Sequence, residues 1–244
     1  MKKILIGEMS WIEANERIRE SRAVILPLGS TEQHGPHMSL ATDTIVASYV
    51  SRVLGEMTDC VVLPSLPFGQ VWSAKDFPGT MSLKEKTFID VVKDVVISLE
   101  KGGARNIILF SGHLGNNLPS KNASRELLDE YGYKNVFHIS YTDIKKHSKG
   151  IMETDPWNGK TFHAAELETS ILLHIAPESV DMSKAVREYP LVPGDIEIRP
   201  IPWKDFNSTG VFGDAIPSTA EKGKRFLDNW IKDIVEIIEQ NVKY

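Results

Sequence analysis

Apolar positions along this chain follow two alternating rhythms, and their order predicts the architecture. Ala23-Val24-Ile25-Leu26-Pro27-Leu28 is a continuous apolar run with β-branched members, the pattern of a buried strand, and it stops at a glycine turn. Residues 60–64, 106–110 and 136–140 predict three more short strands of the same kind. Between them the period is helical. Residues 9–20 read as a helix capped by Ser10, and 44–56 as a second. Phe88, Val91, Val92, Val95, Val96 and Leu99 keep the spacing of an amphipathic helix that Gly102-Gly103 ends. Further helices are predicted from the Ser111–Asn117 cluster to Tyr131 and over 164–175, the latter closing before Pro177. Ser218-Thr219-Ala220-Glu221 reads as a capping box for a last helix with Phe226, Trp230, Ile234 and Ile238 as its core stripe. The alternation predicts an α/β fold: one domain over 1–244, an α/β/α sandwich whose mostly parallel sheet is flanked by helices.

Polar clusters follow the strands. Just past residue 28 comes Gly29-Ser30-Thr31-Glu32-Gln33-His34-Gly35-Pro36-His37, and Asp43 returns nine residues after His34. In extended backbone Glu32 and His34 share a side while Gln33 faces away. Two acids and an imidazole this close suit Zn²⁺ or Mn²⁺ better than Ca²⁺. Taken singly, Asp43 reads equally well as a helix N-cap and Glu32 as a turn carboxylate. His113 follows the 106–110 strand, so its loop should meet the first one beyond the carboxyl ends of a parallel sheet. His163 precedes a helix carrying Glu166 and Glu168, about 200° apart, so only one of those acids can face a common point. Residues 69–80 and 155–159 read as a loop and a lid or rim, and the proline-rich stretch 186–217 as an arm that packs on a neighbour or covers the site.

The run Leu28–His37 with Thr42-Asp43 resembles the signature of the creatininase family. The resemblance continues in Phe77-Pro78-Gly79-Thr80, in Ser111-Gly112-His113-Leu114-Gly115-Asn116, in His163–Ser170 and in Gly210–Asp214 with Thr219–Gly223. It implies two divalent metals per chain, Zn²⁺ with Mn²⁺ or Fe²⁺ as alternatives. Glu32, Asp43 and His113 would hold one; His34, the bridging Asp43 and Glu168 would hold the other. His163 is the candidate proton-transfer residue because an imidazole near its natural pKa can take a proton from water and pass it to a leaving group, its alternative reading being a cap of its own helix. The resemblance points to Glu168 beside it, and Ser73, Lys75, Asp76, Leu114 and Trp157 are expected to meet the substrate. The implied reaction opens a cyclic amide or similar C–N bond of a small polar molecule by metal-bound hydroxide. Ring opening of a keto-inositol and formamide deformylation are the alternatives within hydrolysis; a metal-holding scaffold is the alternative outside it. Members form closed rings, so a homo-oligomer, a hexamer as a trimer of dimers, is expected. This chain departs from creatininases proper in carrying Gly115 where they carry a glutamate two residues after the Gly-His pair. It also has Lys75-Asp76 before Phe77 where many members have Glu-His.

Composition narrows the partners. With 28 basic and 33 acidic residues mixed along 244, the net charge of -5 argues against nucleic acid or an anionic membrane surface. No run approaches the roughly 20 apolar residues of a membrane span, and the first residues are too short an apolar run for a signal peptide. The lone Cys60 fits a reducing cytoplasm. A small-molecule substrate is the partner expected.

Overall fold

The computed structural model describes residues 3–157 and 162–244. Four parallel strands form the central sheet in the order β2-β1-β3-β4: β1 is Val24–Leu28, β2 Val61–Val62, β3 Ile107–Ser111 and β4 Val136–Ile139. β1 and β3 pair along their full length, from Val24 opposite Ile107 to Leu28 opposite Ser111. Alternate side chains divide between two cores. Ile25, Ile108 and Phe110 face one core, and Val24, Leu26, Leu28, Ile107 and Leu109 face the other. Burial on both faces is why β1 reads as a continuous apolar run.

Helices cover each face. α1 (Trp11–Glu20), α3 (Glu85–Gly102) and α4 (Asn117–Tyr131) lie with the Leu26 core, where Phe88, Val92, Val96 and Leu99 of α3 bury their stripe. α2 (Thr42–Thr58), the short α5 (Ile144–Ser148), α6 (Glu166–Ile175) and α7 (Ala220–Asn241) lie with the Phe110 core. Trp230 of α7 is its largest fully buried side chain, stacked on Tyr141 with centroids 4.5 Å apart. α6 and α7 cross so closely that a Cβ at Gly223 would overlap the Ser170 carbonyl, which only glycine avoids.

Several boundaries differ from those the sequence predicts. α2 begins at Thr42, two residues early, so Asp43 belongs to its first turn and Ala41 stands at the cap. β2 pairs over only two residues, and its outer edge is covered by residues 4–5 rather than by a longer ladder. α7 is capped by Thr219, whose hydroxyl accepts from the Lys222 amide at 3.2 Å, not by Ser218 with Glu221. The reciprocal position is thereby Lys222, whose ammonium reaches Glu166 instead.

The proline-rich stretch is a loop closed at its base. β5 (Arg187–Glu188) and β6 (Gly213–Asp214) form an antiparallel pair, Arg187 bonds Asp214 at 2.6 Å, and Glu188 accepts from the Ser208 and Thr209 amides at 3.0 and 2.8 Å. These hydrogen bonds close its base, and buried Ile201, Val211 and Phe212 also hold the arm to its own chain. No helix among the described residues is long and apolar enough to cross a membrane.

Candidate active site

Three loops converge past the carboxyl ends of β1, β2 and β3. Asn116 ties them, its amide donating to the Gly29 carbonyl at 2.9 Å and its side-chain oxygen accepting from the Gln70 amide at 3.0 Å. Glu32 and His34 turn into the centre, while Gln33 turns to the arm and donates to the Gly210 carbonyl at 3.2 Å. The first turn of α2 brings Asp43 between two imidazoles. Its Oδ1 lies 3.3 Å from His34 Nε2 and its Oδ2 2.8 Å from His113 Nδ1. Ser30 donates to Oδ2 at 2.7 Å and fixes the carboxylate. Glu32 approaches His113 Nδ1 to 3.1 Å, and Glu168 approaches His34 Nε2 to 4.0 Å.

Backbone carbonyls decide the tautomers. His34 Nδ1 is 3.1 Å from the Glu32 carbonyl, and His113 Nε2 is 2.9 Å from the Gln70 carbonyl. A carbonyl can only accept, so these nitrogens carry the protons and the opposite ones present lone pairs to carboxylates. Lone pairs facing carboxylate oxygens repel unless a cation or a second proton lies between them. His34 Nε2 and Glu32 Oε2 are buried without a hydrogen-bond partner. Burial opposes charging His34, yet Asp43, Glu168 and Glu32 outweigh it and push its pKa up to about 10. His113 is likewise raised against its burial by Glu32 and Asp43. Burial, with the Asp43 charge, lifts Glu168 to about 7. Three overlapping groups result among the described residues, Glu32-Asp43-His113, His34-Asp43-Glu168 and Glu32-His34-His163, each with its ligand atoms within 4.8 Å of one another. Mixed imidazole and carboxylate donors fit Zn²⁺, Mn²⁺ or Fe²⁺.

Glu166 and Glu168 separate as their spacing requires. Glu166 accepts from the Glu153 and Thr154 amides and pairs with Lys222 at 2.6 Å, away from the centre. Glu168 faces His34. His163 lies in the turn before α6, its ring centroid 4.3 Å from that of His34. Its Nε2 is 2.7 Å from the Gln33 carbonyl and 3.0 Å from the Gln33 side-chain amide nitrogen, so both of its close hydrogen-bond contacts fall on Nε2 rather than Nδ1. Burial, with the charge of His34, lowers its pKa to about 4.

A cavity of about 280 Å³ opens onto this cluster. Ser73, Leu114 and Trp157 line it. Lys75 and Asp76 do not. They pair with each other at 2.8 Å on the surface, as neighbouring opposite charges do in water. The predicted rim at 155–159 is described only to Trp157; residues 158 and 159 lie outside the described residues. Sequence reading missed Gln70, which acts through its carbonyl, and Trp72, Phe162 and Trp203, whose side chains share the wall. The aromatic character of the segments was the only available signal.

The sequence profile of the family described as creatinine amidohydrolase, Creatininase, matches residues 7–238. The chain belongs to the creatininase family. It is 28% identical to creatinine amidohydrolase of Pseudomonas putida, over 98% of this chain and 97% of that one. It is 27% identical to 3-dehydro-scyllo-inosose hydrolase of Thermotoga maritima, over 93% and 82%. A crystal structure of creatinine amidohydrolase (creatininase) superposes with a TM-score of 0.88 at 27% identity, covering 99% of both chains. A manganese creatininase and a variant creatininase of Zn-Zn type each match at 0.84, 26% identity and 99% of both chains. The protein is thus a metal-dependent hydrolase of this family, and divalent metal is its cofactor.

One departure from creatininases proper has a steric cause here. A Cβ at Gly115 would overlap both His113 Nε2 and the Gln70 carbonyl. Glycine at 115 lets the 69–80 backbone close on His113 and fix its tautomer; any side chain there would require that backbone or His113 to shift.

Proposed function

We propose that this creatininase-family enzyme hydrolyses an amide-type C–N bond in a small cyclic molecule, using two divalent cations that share Asp43. The single observation that carries the reading is Asp43 itself, with one oxygen toward His34 and the other toward His113 while each imidazole gives its remaining nitrogen to a backbone carbonyl. Glu32, Asp43 and His113 would hold one cation; His34, Asp43 and Glu168 would hold the other. When bound, the metals supply Lewis acidity toward a carbonyl oxygen and lower the pKa of water toward about 7.

The chain supplies the rest. His163, neutral at pH 7 and held at Nε2 by the Gln33 carbonyl, can take a proton at Nδ1 and return it to the leaving nitrogen. Phe162 and Trp203 flank it and exclude bulk water. Ser30 holds Asp43 in place as charge moves through the centre.

A homo-oligomer, expected as a hexamer built as a trimer of dimers, is supported only in having an apolar contact surface, with Leu191 and Ile198 90% and 86% exposed near the tip of the arm. A free, buried Cys60 supports a cytoplasmic setting.

The test is turnover by metal-loaded protein of lactams, guanidino rings, formamides and keto-inositols, with metal content measured alongside. Metal-dependent ring opening of a cyclic amide is expected. Turnover confined to keto-inositols would replace this reading with hydrolysis of a keto-inositol, the kind of molecule in the Thermotoga relative's name.

A further inference from the structure

Four aromatic side chains, Trp72, Trp157, Phe162 and Trp203, share the wall of the cavity above the metal-ligating cluster. Three come from the segments nearest the site. Trp203 comes from the proline-rich arm, where backbone and ring contacts fix it. Its amide donates to the Ser73 carbonyl at 2.8 Å. Its ring packs against Val71, Ala74 and Phe77, and lies 4.7 Å from Phe212 between centroids. The next residue, Lys204, sets its ammonium 4.5 Å above the Phe77 ring and so pins the same turn. Trp203 is thereby held 4.9 Å from the His163 ring, at an interplanar angle of 53°.

An indole fixed in this way presents a flat face with a polarised edge, and it favours a flat, conjugated partner in offset or edge-on contact. Indole faces also attract cations. Outside the metal-ligating cluster and His163, the polar residues on the wall among the described residues are Gln70 and Ser73. A polyol would need more hydrogen-bonding groups than that to replace its water. A cavity of about 280 Å³ has room for one small ring with substituents.

Resting on the amide-hydrolase reading of the same site, we propose that Trp203 is a specificity-determining residue that stacks on the substrate ring. A contact of this kind selects a flat, conjugated ring over a puckered polyol.

The experiment is calorimetric binding to zinc-loaded protein of hydantoin and creatinine as flat probes, and of myo-inositol and succinate as polyol and dianion. Each is measured with wild type, Trp203→Ala and Trp203→Phe. Loss of one stacking face should weaken the flat probes by about 10-fold or more in Trp203→Ala. Trp203→Phe, which keeps a face, should stay within about 3-fold of wild type. Zinc per chain should be unchanged in both. Equal binding of flat probes by Trp203→Ala and wild type, failure of either flat probe to bind wild type, or tighter binding of myo-inositol or succinate would overturn the proposal. Binding is read apart from turnover. Flat probes that bind through Trp203 without amide cleavage would therefore sink the amide-hydrolase reading alone.

Discussion

Ala164 donates its amide to Glu168 Oε2 across 2.5 Å, and it can do so because its backbone lies at φ 54°. That conformation costs a non-glycine residue about 1–2 kcal/mol. The strain sits in the turn between His163 and α6, where it turns one Glu168 oxygen to the backbone and leaves the other toward His34. Glu168 is therefore oriented before any cation arrives.

Glu168→Ala is expected to keep the fold and one tightly held metal, to lose the second, and to lose at least about 100-fold in kcat. Elemental analysis checks this directly. Two metals per chain in the variant would remove Glu168 from the ligand set.

Glu166→Ala should behave in the opposite way, sparing the metals and most of kcat while lowering stability. It strands the Glu153 and Thr154 amides and removes one of three partners of Lys222, the others being Glu153 and the Pro217 carbonyl at 2.6 Å each. With those partners retained, the cost should be about 2 kcal/mol, below the roughly 3–5 of a fully broken buried pair. The sign with pH follows from the depressed acid. Burial opposes its ionisation, but hydrogen bonds from the Glu153 amide, Lys222 and Thr154 hold its pKa below the ordinary value. Its contribution is present above the unfolded pKa and fades as pH falls through the folded one. The stability gap between wild type and variant should thus narrow in acid denaturation series.

His163→Asn should leave both metals in place and reduce kcat by roughly 100- to 10,000-fold, the range of a lost acid–base group. A variant with near wild-type kcat would assign the proton to another group.

Metal uptake should release protons. In the metal-free centre His34 holds a proton up to about pH 10, because Asp43, Glu168 and Glu32 outweigh its burial. A cation must displace that proton, so apparent affinity should climb as pH rises through neutrality. Calorimetry of Zn²⁺ or Mn²⁺ binding in buffers of different ionisation enthalpy measures the release. Chelation should abolish activity, and Zn²⁺, Mn²⁺ or Fe²⁺ should restore it.

Charging the arm tip, Leu191→Glu with Ile198→Glu, should lower the oligomeric state in light scattering at micromolar concentration. A wild-type mass equal to that of one chain would end the oligomer reading.

The strand runs and helical stripes of this protein are local patterns, and local patterns are what a sequence states openly. The apolar run at 23–28 could only be a strand buried on both faces, and Phe226, Trp230, Ile234 and Ile238 could only be one stripe of a helix. Glu32, His34, Asp43, His113 and His163 follow strand ends or precede helices, so a parallel sheet alone brings their loops together. Local spacing also separated Glu166 from Glu168, though not which of them faced inward. That choice was made by Lys222, 56 residues away on α7, which draws Glu166 off, and by the strained Ala164 turn, which points Glu168 in. A long-range hydrogen bond to the Gln70 carbonyl likewise fixed the tautomer of His113, whereas that of His34 was set by the Glu32 carbonyl two residues away. Tertiary packing carried Trp203 from the arm to His163 and left Lys75 and Asp76 paired on the surface. None of these is periodic in sequence, because each depends on which backbone atom or ring another segment happens to meet once the sheet has closed.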